Sequence, residues 1–242
     1  MESGSWRCRT PYTFWVRFVV ALLWLLVLPV RPEPEVIPWA WERREDLRFV
    51  GEGKSVAWYA GIITLDGERV RVEPRRNPLR LAKNAHRIAV IRIETRRPAL
   101  DERQLRDTLR AIDKLHRNAE ELQLDFDATR GERAFYRRLL NGVRAKRLSI
   151  TALASWCYDD RWLGELPIDE AVPMFFRMGA DERAIHARLQ RGEEIPEPRC
   201  RMSAGISLDE PLPRMPAARR IWIFNPARWT EETWTLAQRR AR

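Results

Sequence analysis

The sequence predicts an α/β fold, a closed barrel of eight strands with several degenerate helices, preceded by an N-terminal hydrophobic helix. Three observations carry this. Short apolar runs rich in β-branched and aromatic residues recur eight times from residue 35 onward. Segments of helical period separate several of them, as in repeated strand–helix units on a parallel sheet. No glycine-rich phosphate loop follows any run, which counts against the alternative, an open doubly wound sheet. A (β/α)8 TIM-like barrel is therefore expected.

The strands are expected at Val36–Trp41, Ser55–Thr64, Ile88–Glu94, Leu122–Asp127, Leu148–Ser155, Val172–Arg177, Gly205–Asp209 and Ile221–Asn225. Helices are expected at Asp101–Asn118, Glu132–Ala145, Asp181–Arg191 and Glu231–Arg240. The first helix places Leu105, Leu109, Ile112 and Leu115 at offsets of three and four, so one stripe can pack on the sheet. The last follows Thr230, a suitable N-cap, with Glu231 and Glu232 well placed in its first turn. Other connections make poor helices. "DGERVRVEPRRNPLR" reads as a hairpin return and a loop, and "DEPLPRMPAAR" carries too many prolines. One domain over 32–242 is expected, because two smaller halves would each bury less of their own surface.

The net charge is +10, and 40 of the 44 basic residues are arginines. They are mixed with acids, as in "DERQLRDTLR", which is the pattern of solvated helix faces and excludes a segregated nucleic-acid surface. Residues 1–31 read as a signal anchor or signal peptide. Arg7, Arg9 and Arg17 precede the apolar run "FVVALLWLLVLPV", and no pair of small residues follows it as a signal peptidase prefers, so an uncleaved anchor is favoured. The stretch 14–30 would then lie in the inner membrane with the barrel on the periplasmic side. Cys157 and Cys200 fall on the exported side, where they either pair or remain buried thiols. His86, His116 and His186 stand alone, and no metal site or cofactor is expected.

The strand phases carry the functional reading. In "LQLDFDA", Gln123, Asp125 and Asp127 alternate with Leu122, Leu124 and Phe126. The apolar set must meet the helices, which turns the polar set toward the barrel lumen, where barrel enzymes place their chemistry near the C-terminal strand ends. In "IAVIRIE", Arg92 and Glu94 point inward by the same reasoning. Arg92 is expected to neutralise Asp125, with Arg177 approaching from the other side. Trp39, Trp41, Trp156 and Trp222 lie on or at the ends of predicted strands and suggest a groove for a glycan or another flat ligand.

The segments "WAWERREDL", "IAVIRIE", "LQLDFDAT" followed by "FYRRLLNGVR", and "LSITALASW" resemble a bacterial family of unknown function. Its members are exported or membrane-attached proteins with a predicted barrel related to glycoside hydrolases. The resemblance covers roughly residues 36–160. Beyond Trp156 it fades, where "VPMFFRMG" stands in place of a Gln- and His-bearing strand. "DFDAT" also resembles the chitinase-type run of alternating acids ending in a catalytic glutamate, but Thr129 occupies the glutamate's position. The chitinase mechanism does not carry over.

The expected function is an envelope barrel protein that binds or hydrolyses a carbohydrate or other small polar ligand. As a hydrolase it would use Asp127 as acid and Glu94 as base or nucleophile, with Asp125 crowding Asp127 so that one of the two pKa values rises. Trp41, Glu42, Arg92, Gln123, Trp156, Arg177, Asp209 and Asn225 are the candidate ligand contacts. The alternative is a non-catalytic envelope scaffold or glycan-binding protein whose lumen charges are structural.

Overall fold

The computed structural model describes Met1 and residues 33–241. The apolar run expected to enter the membrane lies outside the described residues, and the barrel belongs to the unit Pro34–Arg242. Among the described residues no helix is long and apolar enough to cross a membrane.

Eleven strands succeed one another among the described residues: β1 Glu35–Ala40, β2 Glu45–Leu47, β3 Ser55–Asp66, β4 Arg69–Pro74, β5 Leu79–Leu81, β6 His86–Arg96, β7 Glu121–Asp125, β8 Leu148–Leu153, β9 Glu170–Met174, β10 Ser203–Ser207 and β11 Arg220–Phe224. Eight of them, β1, β3, β6, β7, β8, β9, β10 and β11, pair in parallel in that order, and β1 pairs with both β3 and β11. The ring is therefore closed, and all eight strands read from the sequence belong to it. The far half of β3 also holds β4 in an antiparallel hairpin, the return read in "DGERVRV". Outside the barrel β2 and β5 make a short pair of their own.

Five helices are described: α1 Glu102–Leu115, α2 Arg133–Gly142, α3 Ala154–Asp159, α4 Glu182–Arg191 and α5 Glu231–Arg240. No α-helix follows β1, β3 or β10, so the outer layer has the degenerate form expected. Asp101 caps α1 by accepting from the Gln104 N–H at 2.7 Å, and Leu105, Thr108, Ala111 and Ile112 form its buried stripe. The helices α1 and α2 approach closely at Gly142, where a Cβ would stand 2.6 Å from a Leu109 methyl.

One departure from the expected boundaries, at β8, changes the kind of element. The run "LSITALASW" suggested one strand to Ser155, but the strand stops at Leu153 and α3 begins at Ala154. Ala154, Cys157 and Tyr158 recur at helical spacing and are all buried, so packing turns the chain from strand to helix at a point that no side-chain cap marks. Cys157 on α3 is joined to Cys200, 43 residues on, by a disulfide. The pairing left open by the sequence is therefore present. Replacing both cysteines by Ser is expected to cost about 2 to 4 kcal/mol through the freed loop, read as a lower denaturant midpoint. An unchanged midpoint would show that the bridge contributes nothing.

Two cores result from strand alternation. Outward residues such as Ile91, Ile93, Leu122, Leu124 and Phe126 pack beneath the helices. Inward residues, including Ile37, Trp39, Ala57, Ile88, Val172 and Trp222, fill the lumen as a separate apolar plug. Gly205 on β10 makes room for it, because a Cβ there would meet the Trp39 ring at 3.1 Å. Trp39 and Trp222 pack with ring centroids 5.6 Å apart.

Candidate functional site

The plug separates two charged ends. At the N-terminal end, the first residues of the strands supply an ion network that has no local signature in the sequence. Arg220, which is 8% exposed, contacts Glu170 at 2.5 Å, Glu121 at 3.0 Å and Glu35 at 3.2 Å. Arg147 reaches Glu170 at 2.8 Å, and Ser203 donates to Glu170 as well. Burial pushes the Glu170 carboxyl up, but Arg220, Ser203 and Arg147 outweigh it and leave its pKa below the usual value. Each charged group here faces one of opposite sign, so this end is a floor.

At the C-terminal end a cleft of about 420 Å³ opens, within the size range of small-molecule sites. Eight residues read from the sequence line it: Trp39, Trp41, Arg92, Glu94, Gln123, Asp125, Asp127 and Arg177. The register explains why. Strand β6 aligns Arg92 with Asp125 of β7, so side chains of the same phase meet across the pair. The guanidinium of Arg92 contacts Asp125 at 3.0 Å, Asp127 at 3.1 Å and Glu94 at 3.7 Å. Three carboxylates thus share one cation. Asp127 and Glu94 on a single guanidinium are held closer than the roughly 10 Å limit of two-carboxylate glycoside chemistry.

Depth distinguishes these acids. Asp125 is 6% exposed and accepts from the Thr151 hydroxyl at 2.8 Å, whereas the side chains of Asp127 and Glu94 are each 43% exposed. Burial raises the Asp125 pKa, Arg92 opposes the rise, and Asp127 adds to it. The acid whose pKa is raised is therefore Asp125, the deeper of the pair. For Arg92, burial favours the neutral form, but Asp125 and Asp127 overcome it and leave its pKa raised. Behind them Gln123 is fully buried and accepts from the Trp39 indole N–H at 2.8 Å, which fixes the floor of the cleft.

Arg177 lines the cleft but makes no ion pair with Asp125. Its guanidinium lies 4.9 Å from the Phe224 ring, and its backbone has φ 52°, a left-handed conformation secured where its N–H donates to Glu210 at 2.8 Å. Phe224 stacks on Phe176 with centroids 5.7 Å apart, and Trp41 stands edge-on to Phe224 at 6.4 Å. These rings form the aromatic wall. Phe176 and Phe224 were missed, although the alternation of Met174 with Phe176, and of Trp222 with Phe224, carries the inward phase.

Four expected contacts are elsewhere. Glu42 accepts from the Asn77 backbone and side chain at 3.0 and 2.8 Å and pins the loop ahead of β5. Trp156 is 7% exposed on α3 and packs edge-on against Trp162 at 5.1 Å. Asp209 accepts from Ser207, two residues before it. Asn225 is buried and holds its own turn, accepting from the Ala227 N–H at 3.0 Å and donating to the Arg228 carbonyl at 3.2 Å. The three polar residues among them serve neighbouring chain at a strand end rather than a ligand.

Among the described residues no group of three or more His, Cys, Asp or Glu side chains is placed to hold a metal ion. Compared with protein-family models, curated proteins and solved structures, the chain matches none. Its function therefore has to be read from the geometry of the cleft.

Proposed function

We propose that the cleft at the C-terminal strand ends binds a carbohydrate, and that the protein does so on the periplasmic side of a membrane holding residues 14–30. The observation that carries the reading is the grouping of Arg92 with three carboxylates beside the wall of Trp41, Phe176 and Phe224. Aromatic rings cover the apolar faces of a sugar, and a charged cluster orients its hydroxyls. The Cys157–Cys200 bridge supports an oxidising compartment. The resemblance to glycoside-hydrolase-like barrels points the same way.

Hydrolysis would require a protonated carboxyl to give its proton to the glycosidic oxygen as the C–O bond breaks. An ionised carboxylate would stabilise or attack the sugar carbon, and water would then add hydroxyl to that carbon and return a proton. Asp127 and Glu94 face the cleft for these roles, and Asp125 is the group whose pKa is raised. A second, non-catalytic reading is favoured by Arg92 itself, because one guanidinium shared by all three acids ties three strand-end side chains into a structural network.

A glycan array probed with the full chain in a sugar-free zwitterionic detergent tests binding. Asp127→Asn then separates the two forms. Turnover abolished at an unchanged melting temperature supports hydrolysis; bound glycans with no turnover in the wild type support the binding protein. An array without hits overturns the carbohydrate reading.

A further inference from the structure

A second cavity of about 440 Å³ lies beside the cleft. Asp127, Leu153 and Ser155 line both, so the two adjoin along these residues and we read them as halves of one trough. The halves differ in chemistry. The first presents the rings of Trp41, Phe176 and Phe224. In the second the aromatic faces are already covered, since the Arg133 guanidinium lies 5.8 Å from the Trp156 ring and 4.7 Å from the Trp162 ring while pairing with Asp160 at 2.5 Å.

What this half leaves open is polar: Arg130 and Ser155. Arg130 is exposed and makes no ion pair among the described residues, so its donors are available to a ligand. Leu153, 37% exposed, is an apolar residue kept on the ridge between the halves, where it can meet the apolar edge of a chain crossing over. One sugar unit needs only one of the cavities. A trough that changes from aromatic to hydrogen-bonding at a shared carboxylate fits two unlike neighbours in a chain.

We propose that the trough is a two-subsite groove for a linear oligosaccharide, with one unit against the aromatic wall, the next against Arg130, and the linkage between them over Asp127. This rests on the carbohydrate reading above and specifies it as an oligomer bound across both cavities. Asp127 is then placed at the linkage, whichever of the two forms of that reading holds.

The test titrates the full chain, in the same sugar-free detergent, with three linear ladders of one to six units: β-1,4-glucose, β-1,4-N-acetylglucosamine and α-1,4-galacturonate. Calorimetry should show dimers and longer chains of at least one ladder binding about tenfold or more tightly than the monomer, because the second unit engages at high effective concentration. In Arg130→Ala, at an exposed position, and in Ser155→Trp, which fills the junction, that chain-length ratio should fall toward one. A monomer that binds as tightly as the hexamer overturns the second subsite while the carbohydrate reading stands. A ratio unchanged in Arg130→Ala, in a variant of unaltered melting temperature, overturns the placement of the second unit. No binding by any member of the three ladders or the array overturns both.

Discussion

Replacing Arg92 by Met is expected to abolish ligand binding at the cleft and to destabilise the barrel at the same time. Asp125 is 6% exposed, and its remaining charged neighbour is Asp127, so without the guanidinium a buried carboxylate faces a like charge. Breaking such a pair from one side costs about 3 kcal/mol. For a chain of this size that corresponds to a melting temperature lower by roughly 6 to 12 °C. The loss should depend on pH. Because the native pKa of Asp125 is raised, the folded protein keeps that proton over a range in which the unfolded chain releases it. Its contribution is most favourable below the unfolded value of about 3.9 and is lost as pH climbs through the raised native value. Removing Arg92 takes away the charge that opposes the rise, so the deficit relative to the wild type should be largest at neutral pH and shrink in acid. Urea melts of both proteins at pH 4.5 and pH 7.5 measure this. Equal deficits at the two pH values would show that Asp125 does not depend on Arg92, and retained glycan binding would remove Arg92 from the site.

The part of the site that includes this pair was legible in the sequence because strand period is local. Gln123, Asp125 and Asp127 alternate with three apolar residues, Arg92 and Glu94 do the same one strand earlier, and burial of the apolar set leaves only one direction for the rest. The order of eight strands was legible for the same reason. Trp156 was misplaced because Ala152, Leu153 and Ala154 follow the alternation of Ser149 and Thr151 with no side-chain cap at the boundary, so the switch from β8 to α3 at Ala154 left no mark. Glu42, Asp209 and Asn225 were misjudged because a polar residue at a strand end looks the same whether it faces a ligand or its own backbone. The floor was invisible for a different reason. Glu35, Glu121, Glu170 and Arg220 each open a strand, where a charge reads as the end of a loop, and the contacts of Arg220 span 50 to 185 positions. Only ring closure brings them together.

That floor predicts the opposite phenotype. Arg220→Met should lower stability by about 3 to 5 kcal/mol while leaving binding at the mouth unchanged. Among the described residues Glu170, 1% exposed, would keep only Arg147 as a cation, and the Arg147 side chain is 42% exposed and also held by Glu121 at 3.5 Å. The Arg220 guanidinium also covers the Trp222 ring at 4.9 Å, so the change removes packing from the base of the plug. The native pKa of Glu170 is lowered, so its contribution is present above the unfolded value near 4.3 and is lost as pH falls through the native value. The Arg220→Met deficit should therefore also narrow in acid. Adding Glu170→Leu to Arg220→Met should recover part of the loss, since an apolar pair leaves no unpaired charge in the lumen. Between the floor and the cleft stand Ile37, Ile88, Val172 and Trp222, which carry no titratable group and separate the two clusters by a layer of packed side chains. If Arg220→Met weakened glycan binding as much as Arg92→Met, the plug would be transmitting strain between the ends, and the division into a structural floor and a functional mouth would fail.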